Sequence, residues 1–264
     1  MVNTKNFFRN GMASILAYDQ GFEHGPKDFD MTNVDPKHIV GIASSGNYTG
    51  LALCPGTAEK YYNKGNESVP LIVKLNSKTH YSHGDALSLA NCSVQRAVKM
   101  NAQAVGYTLY TGSLHEQKQY QEFGRIIGEA HDVGLSVIAW AYPRGHMIDN
   151  ELSTDTIAYA VRIAAELGAD IIKCKYNLDA KGFPWVVSNA LKAKVVVSGG
   201  SKTDQHKFLS QLKDTTGMGA KGTAVGRNVW QDPKPYSLSR AIGKLYFDNG
   251  SVDEALLLYN EGND

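Results

Sequence analysis

The sequence is short of the features that would place it in several common classes. It has only three cysteines, Cys54, Cys92 and Cys174, widely spaced and without a CxxC pair. An odd, scattered set argues against a disulfide framework and against a cysteine zinc site. It fits free thiols in a reducing compartment, so a cytoplasmic location is expected. No apolar run approaches the ~18 residues needed to span a bilayer, so no membrane is expected as a partner. The opening stretch MVNTKNFFRNGMASILAYD has no continuous apolar core followed by a small-residue cleavage site, and does not read as a secretory signal. An excess of charge is missing too. The formal net charge is +1 and no Lys/Arg block stands out, which leaves no electrostatic footprint for nucleic acid. Any anion must be held by a local site rather than by a global field.

What is present is a regular alternation. A chain of 264 residues, 42% hydrophobic and carrying 26 glycines, suits a compact α/β enzyme and one barrel better than two average domains. Short β-rich runs fall at Ser14–Asp19, Gly50–Cys54, Leu71–Leu75, Gln103–Tyr110, Leu135–Tyr142, Asp170–Lys175, Lys194–Ser198 and Gly222–Gly226. Several are nearly continuous apolar runs, as expected of parallel strands covered by helices. Amphipathic segments lie between them. In STDTIAYAVRIAAELG, Ser153 or Thr154 caps the start, Gly168 ends the helix, and Ile157, Ala160, Val161, Ala164 and Leu167 repeat at helical spacing. Others begin at Ser93 and fill Gln117–Val133. Eight strands with crossovers, without a linker or low-complexity tract, predict a single (β/α)8 TIM barrel over residues 1–264. A doubly wound sheet is the alternative, but no GxGxxG follows the first strand.

In a barrel the chemistry gathers at the C-terminal ends of the strands, so polar residues there, or buried within strands, are the candidates. DIIKCKYN contains two lysines, Lys173 and Lys175, which share a face opposite Ile172 and Cys174. If the latter face the helices, both lysines face the axis, with Lys173 deeper and Lys175 nearer the mouth. A desolvated lysine has a depressed pKa and can attack a carbonyl, although a lysine paired with a carboxylate is the bland reading of the same pattern. Lys74 in LIVKLN is either a structural ion pair or a like charge that helps depress the pKa of Lys173. Trp140 and Tyr142 share a face at the end of the fifth strand, and Pro143-Arg144-Gly145 turns the chain out. Tyr142 is a candidate acid/base or a barrel-filling aromatic. Asp19 ends the first strand as a turn cap or a catalytic acid. The last two strands end in SGGSK and AVGRN. Ser198, Gly199, Gly200, Gly226 and Arg227 therefore read as a phosphate cradle, with backbone N–H groups and one charged donor. His80 and His83 in THYSHGD lack a third ligand at metal spacing, and no metal or other cofactor is expected.

Together these stretches (ILAYDQGFEHGP, AEKYY, LIVKLNSKT, ANCSVQRAV, AVGYTLYTGS, AWAYPRG, ELGADIIKCKY, VVVSGGSKT and GTAVGRNVWQ) resemble the archaeal-type class I fructose-1,6-bisphosphate aldolases, the DhnA-like family, from Ser14 to Trp230. The resemblance implies a (β/α)8 barrel and a Schiff-base lysine at Lys173. It gives Tyr142 and Asp19 acid/base roles, and makes Trp140 and Arg144 substrate contacts, with Lys74 and His24 grouped beside them. It puts a substrate phosphate on Ser198–Gly200 and Gly226–Arg227. It further implies reversible cleavage of fructose 1,6-bisphosphate in glycolysis or gluconeogenesis, no cofactor, and a homo-oligomer, commonly a decamer. Two positions depart from the pattern: Gln20, where many relatives have histidine, and Asn177-Leu178, where they often read Thr-Gly. The rival functions are a related lysine-dependent aldolase or transaldolase-like synthase acting on another phosphorylated sugar, a flavin-binding barrel, and a catalytically silent phosphosugar-binding module. A substrate panel, a yellow chromophore and imine trapping discriminate them.

Overall fold

Each of the apolar runs becomes a strand: β1 (Ala13–Tyr18), β2 (Gly50–Leu53), β3 (Leu71–Lys74), β4 (Ala104–Thr111), β5 (Ser136–Pro143), β6 (Ile171–Cys174), β7 (Lys194–Ser198) and β8 (Gly222–Val225). They are all parallel and close in sequence order, β1 pairing β8 as well as β2. The computed structural model describes residues 2, 4–62, 69–200 and 202–264, so Ser201 of the SGGSK turn lies outside the described residues. The helices in chain order are α1 (Gln20–His24), α2 (Pro36–Ser44), α3 (Pro55–Tyr61), α4 (Val94–Lys99), α5 (Glu116–Asp132), α6 (Thr154–Leu167), α7 (Phe183–Ser188), α8 (Gln205–Gly217), α9 (Arg227–Trp230), α10 (Pro235–Phe247) and α11 (Val252–Glu261). Among the described residues no helix is long and apolar enough to cross a membrane.

Local chemistry accounts for the helix boundaries. Ser93 and Ser153 each accept a backbone N–H in the first turn of α4 and α6, from Arg96 and Thr156, and Asp204 does the same for α8. Gly168 closes α6, and Ile157, Ala160, Val161 and Ala164 are buried against the barrel, with Leu167 packed at the edge. The expected strands ran one or two residues long at β2, β3, β6 and β8; β1 begins and ends one residue earlier than expected, β4 and β5 one residue later, and β7 matches. Asp19, Cys54, Leu75, Lys175 and Gly226 fall just past strand ends, because the ladder stops where the chain turns outward.

The period of two sorts every strand. Ile172 and Cys174 of β6 face the helices, in the outer layer with Leu16, Val73, Val105, Val137 and Val197. Ala13, Ile15, Ala17, Ala52, Ile72, Ala104, Ile138, Ile171, Val196 and Ala224 fill the interior, with Phe7 below them. The seam between β1 and β8 needs glycine: at Gly222 (φ +125) a Cβ would lie 1.8 Å from the Ala13 carbonyl oxygen. Above these apolar layers the interior turns polar.

Candidate active site

Four strands and one short helix deliver the polar layer. Lys173, on the inner face of β6, is 4% exposed, and Lys74, on β3, is 0% exposed. Both ammonium nitrogens lie over the same indole, Trp140 of β5, at 5.1 and 5.3 Å from its ring centre. Trp140 sits beside Lys173 in the β5–β6 register and beside Thr108 in the β4–β5 register. Its position depends on Gly106 of β4. A Cβ there would be 2.4 Å from Trp140 Cζ3 and 3.4 Å from Cδ of Lys74, so only a glycine lets ring and lysine stem pass. Gly106→Ala should therefore overpack the interior. We expect about 1–3 kcal/mol lower stability in urea unfolding. A slower reaction of Lys173 with a carbonyl should accompany it as the indole is displaced. An unchanged unfolding midpoint would mean that the ring is easily moved.

Lys74 answers the choice posed by the sequence. It lies 3.8 Å from Asp19 Oδ2 and 3.5 Å from Glu23 Oε1, and its Nζ donates to the Asn76 carbonyl oxygen at 2.9 Å. It is therefore a buried ion pair. It also acts on Lys173, whose pKa is pushed below the ordinary lysine value, first by burial; Asp19 opposes that, Lys74 adds to it, and Glu23 opposes it. Asn76 is fully satisfied: its amide nitrogen donates to the carbonyls of Ser88 and Thr108, and its Oδ1 accepts from Thr108 N–H. That fixes the carbonyl on which Lys74 rests. Asp19 precedes α1 but makes no side-chain cap hydrogen bond, which leaves its carboxylate to Lys74.

Tyr142 lies beside Tyr110 in the β4–β5 register, packed against the inner cluster. Burial, then the charges of Asp19 and Glu23, raise its phenol well above the usual tyrosine range, so it rests protonated. Arg144 and Lys175, at the β5 and β6 exits, share one carboxylate. Arg144 Nε is 3.0 Å from Glu151 Oε1, and Lys175 Nζ donates to Glu151 Oε2 at 2.8 Å. Burial raises the Glu151 carboxyl, but these hydrogen bonds outweigh it and hold the group below its ordinary value.

The turns after β7 and β8 lie side by side. Ser198 pairs with Ala224, and Asn228 Nδ2 donates to the Gly199 carbonyl at 2.6 Å. Gly200 takes φ +66. Gly226 abuts β1, where a Cβ would meet the Ala17 carbonyl oxygen and the Gln20 amide, each at 2.6 Å. Arg227 is half-exposed, its Nη1 3.6 Å from Asp28 Oδ2, and the same oxygen is 2.7 Å from His24 Nδ1. His24 thus belongs to the Arg227 side of the mouth. Gln20, the departure beside it, packs its amide against Gly226 and leaves Oε1 buried without a partner among the described residues. At the other departure Leu178 adopts φ +63, a left-handed conformation that glycine takes freely and that costs another residue roughly 1–2 kcal/mol. Hydrogen bonds from Asn177 to Leu152 O and Thr154 Oγ1, and from Gly182 N–H to Asp179, hold that loop in place.

Sequence reasoning missed Glu23, Asp28, Glu151, Asn76 and Gly106. Glu23 and Asp28 carried a faint signal, each standing four residues after a candidate residue, Asp19 and His24, in a short helical stretch. Glu151 and Asn76 carried none. Among the described residues no group of three or more His, Cys, Asp or Glu is assembled for a metal, and His80 stacks on Tyr81 instead.

A closed parallel barrel with a desolvated lysine on its inner face, a carboxylate and a phenol near it and glycine turns after the last two strands is the frame of an aldolase of the (β/α)8 class. The chain belongs to the DeoC/LacD family of aldolases, whose sequence profile matches residues 13–232. It is 45% identical over 253 residues to the class 1 fructose-bisphosphate aldolase of Thermoproteus tenax, covering 95% of each chain. To the fructose-bisphosphate aldolase/6-deoxy-5-ketofructose 1-phosphate synthase of Methanocaldococcus jannaschii it is 35% identical, over 95% of this chain and 86% of that one. Its structure superposes, with a TM-score of 0.88 and 45% identity over 92% of this chain and 97% of the other, on an archaeal fructose-1,6-bisphosphate aldolase whose catalytic lysine is covalently bound to the carbinolamine intermediate of the substrate.

Proposed function

We propose that this protein is a class I aldolase that reversibly cleaves fructose 1,6-bisphosphate to dihydroxyacetone phosphate and glyceraldehyde 3-phosphate, with Lys173 as the Schiff-base residue. The observation that carries the reading is the buried Lys173 amine on the inner face of β6, with its pKa lowered, over Trp140 and beside the Lys74–Asp19–Glu23 cluster. In this reading the neutral amine adds to the C2 carbonyl, and with one proton taken up water is lost to give an iminium. The iminium draws the electrons of the C3–C4 bond while a base takes the C4 hydroxyl proton. Asp19 serves as that base. Tyr142, protonated at rest, is the proton donor of the cycle. Glyceraldehyde 3-phosphate leaves, the enamine is reprotonated at C3, and hydrolysis frees dihydroxyacetone phosphate and Lys173. Trp140 contributes more than packing, since its Nε1 is buried with no acceptor among the described residues and is a donor held for a ligand oxygen. The substrate carries a phosphate at each end. One lies on Ser198, Gly199, Gly200, Gly226 and Arg227, with His24 beside Arg227; the other meets Arg144.

The barrel forms one domain over residues 1–264, the protein assembles as a homo-oligomer, and it works in the cytoplasm. A second reading, a synthase acting on another phosphorylated sugar, is favoured by the double activity in the name of the Methanocaldococcus relative. A panel of phosphorylated ketoses, assayed in both directions and with EDTA present, separates the two readings, and activity should survive the chelator.

Arg227→Ala tests the cradle. A charged hydrogen bond is worth roughly 1.5–3 kcal/mol, so kcat/KM for fructose 1,6-bisphosphate should fall about ten- to a hundredfold. Part of the loss should appear in kcat, because a remote phosphate supplies positioning energy. Unphosphorylated fructose should be a very poor substrate for the intact enzyme and should be affected much less by the substitution. Equal loss for both sugars would move the phosphate away from the GRN turn.

A further inference from the structure

Around Lys173 the charged groups are few and unequally distributed. Asp19 and Glu23 come from the β1 exit and α1, and Lys74 comes from β3. β7 and β8 present Val196 and Ala224 to the interior, and β2 presents Ala52. Among the remaining groups near by, burial raises the Tyr142 and Tyr110 phenols and brings the Cys54 thiol to about 11, and Cys174 points outward into the helical layer. Arg144, at the β5 exit, also acts on Glu23, but its guanidinium is paired with Glu151. Beside Lys173, two carboxylates therefore face the one ammonium group of Lys74. With Lys173 as a neutral amine the cluster carries one excess negative charge, and the excess disappears when Lys173 becomes a cation. Asp19 alone would already balance Lys74. Glu23 is the surplus carboxylate, 3.5 Å from Lys74 Nζ, and its side chain is 23% exposed against 7% for Asp19.

We propose that Glu23 is an electrostatic positioning residue for the iminium: its carboxylate is the counter-charge that lets a second cation form at Lys173 beside the buried Lys74. This rests on the reading of Lys173 as the imine-forming residue. When the amine adds to the carbonyl and loses water with uptake of one proton, a fixed positive charge appears a short distance from Lys74, over the same indole. In a water-poor interior two like charges repel strongly unless an anion lies between them. Asp19 is committed to Lys74 and to base duty. Glu23, which touches no reacting atom, supplies the anion without entering the chemistry.

Glu23→Gln keeps the shape of the side chain and removes its charge. Two readouts and a rescue variant follow, on the full chain with fructose 1,6-bisphosphate and dihydroxyacetone phosphate. The acid limb of kcat/KM, which reports Lys173 in the free enzyme, should move to lower pH by about one unit, because a lysine that has lost a nearby anion gives up its proton more readily. The steady-state fraction trapped on Lys173 by borohydride should fall severalfold, because the iminium has lost the same anion. Glu23→Asp should restore both in part. A merely structural role would lower activity without moving the acid limb, and that result, or normal trapping in Glu23→Gln, overturns the proposal. Peptide mapping of the trapped wild-type protein keeps the two readings distinct. An adduct on Lys173 with an unmoved limb in the variant removes only Glu23. Absence of the adduct from wild type removes the Schiff-base assignment, and the role of Glu23 with it.

Discussion

Borohydride added to the protein in the presence of dihydroxyacetone phosphate is expected to fix a reduced adduct on the peptide carrying Lys173. Three lysines compete for that role, and their surroundings separate them. Lys74 is held between Asp19, Glu23 and the Asn76 carbonyl, so its nitrogen is engaged on several sides. Lys175 stands at the mouth with Nζ donating to Glu151 at 2.8 Å. Lys173 makes no such hydrogen bond among the described residues; it faces the indole of Trp140, and burial favours its neutral, nucleophilic form. Lys173→Met, which keeps bulk and loses the amine, should therefore abolish trapping. It should also lower turnover on the order of 10⁶-fold, the scale reached when a covalent nucleophile is removed. Its fold should survive, since an apolar chain replaces a buried amine. An adduct found on Lys175, or turnover persisting in Lys173→Met, would sink the assignment.

The second large effect is expected at Tyr142. Tyr142→Phe keeps the ring that packs against the inner cluster and removes a hydroxyl that rests protonated under the charges of Asp19 and Glu23. General acid–base help is typically worth ~10²–10⁴-fold, and turnover should fall within that range. Trapping on Lys173 should persist, because the amine and the carbonyl-binding face are untouched. The two measurements together locate the defect in proton transfer after imine formation. Near-normal turnover in the variant would return Tyr142 to the role of a space-filling aromatic, the alternative that its sequence position alone allowed.

Much of this site was legible in one dimension because the signals involved are local. The alternation of DIIKCKYN was enough to turn Lys173 toward the axis once Ile172 and Cys174 were assigned to the helices, and the same period paired Trp140 with Tyr142. Ser93, Ser153 and Gly168 marked helix ends through hydrogen bonds and backbone geometry that reach only a few residues. The SGG and GRN turns stood out because glycine at the last two strand ends of a barrel has a small set of uses.

The electrostatics could not be read that way. Lys74 and its partners Asp19 and Glu23 are more than fifty residues apart and meet only because β1 and β3 flank β2 in a closed barrel. Glu151 reaches both Arg144 and Lys175 from the loop between β5 and α6, and Asp28 joins His24 to Arg227 across the β1–β8 seam. Whether a buried lysine is an inert ion pair or a nucleophile depends on which carboxylates reach it, and that is set by barrel closure and register. Gly106 makes the same point in steric terms. Its neighbours in the chain give no reason for a glycine; the reason is the ring of Trp140 lying across it from the adjacent strand. Local periodicity determined which residues face inward, and tertiary closure determined which of them touch, because side-chain direction repeats along a strand whereas contact distances depend on the packing of separate strands.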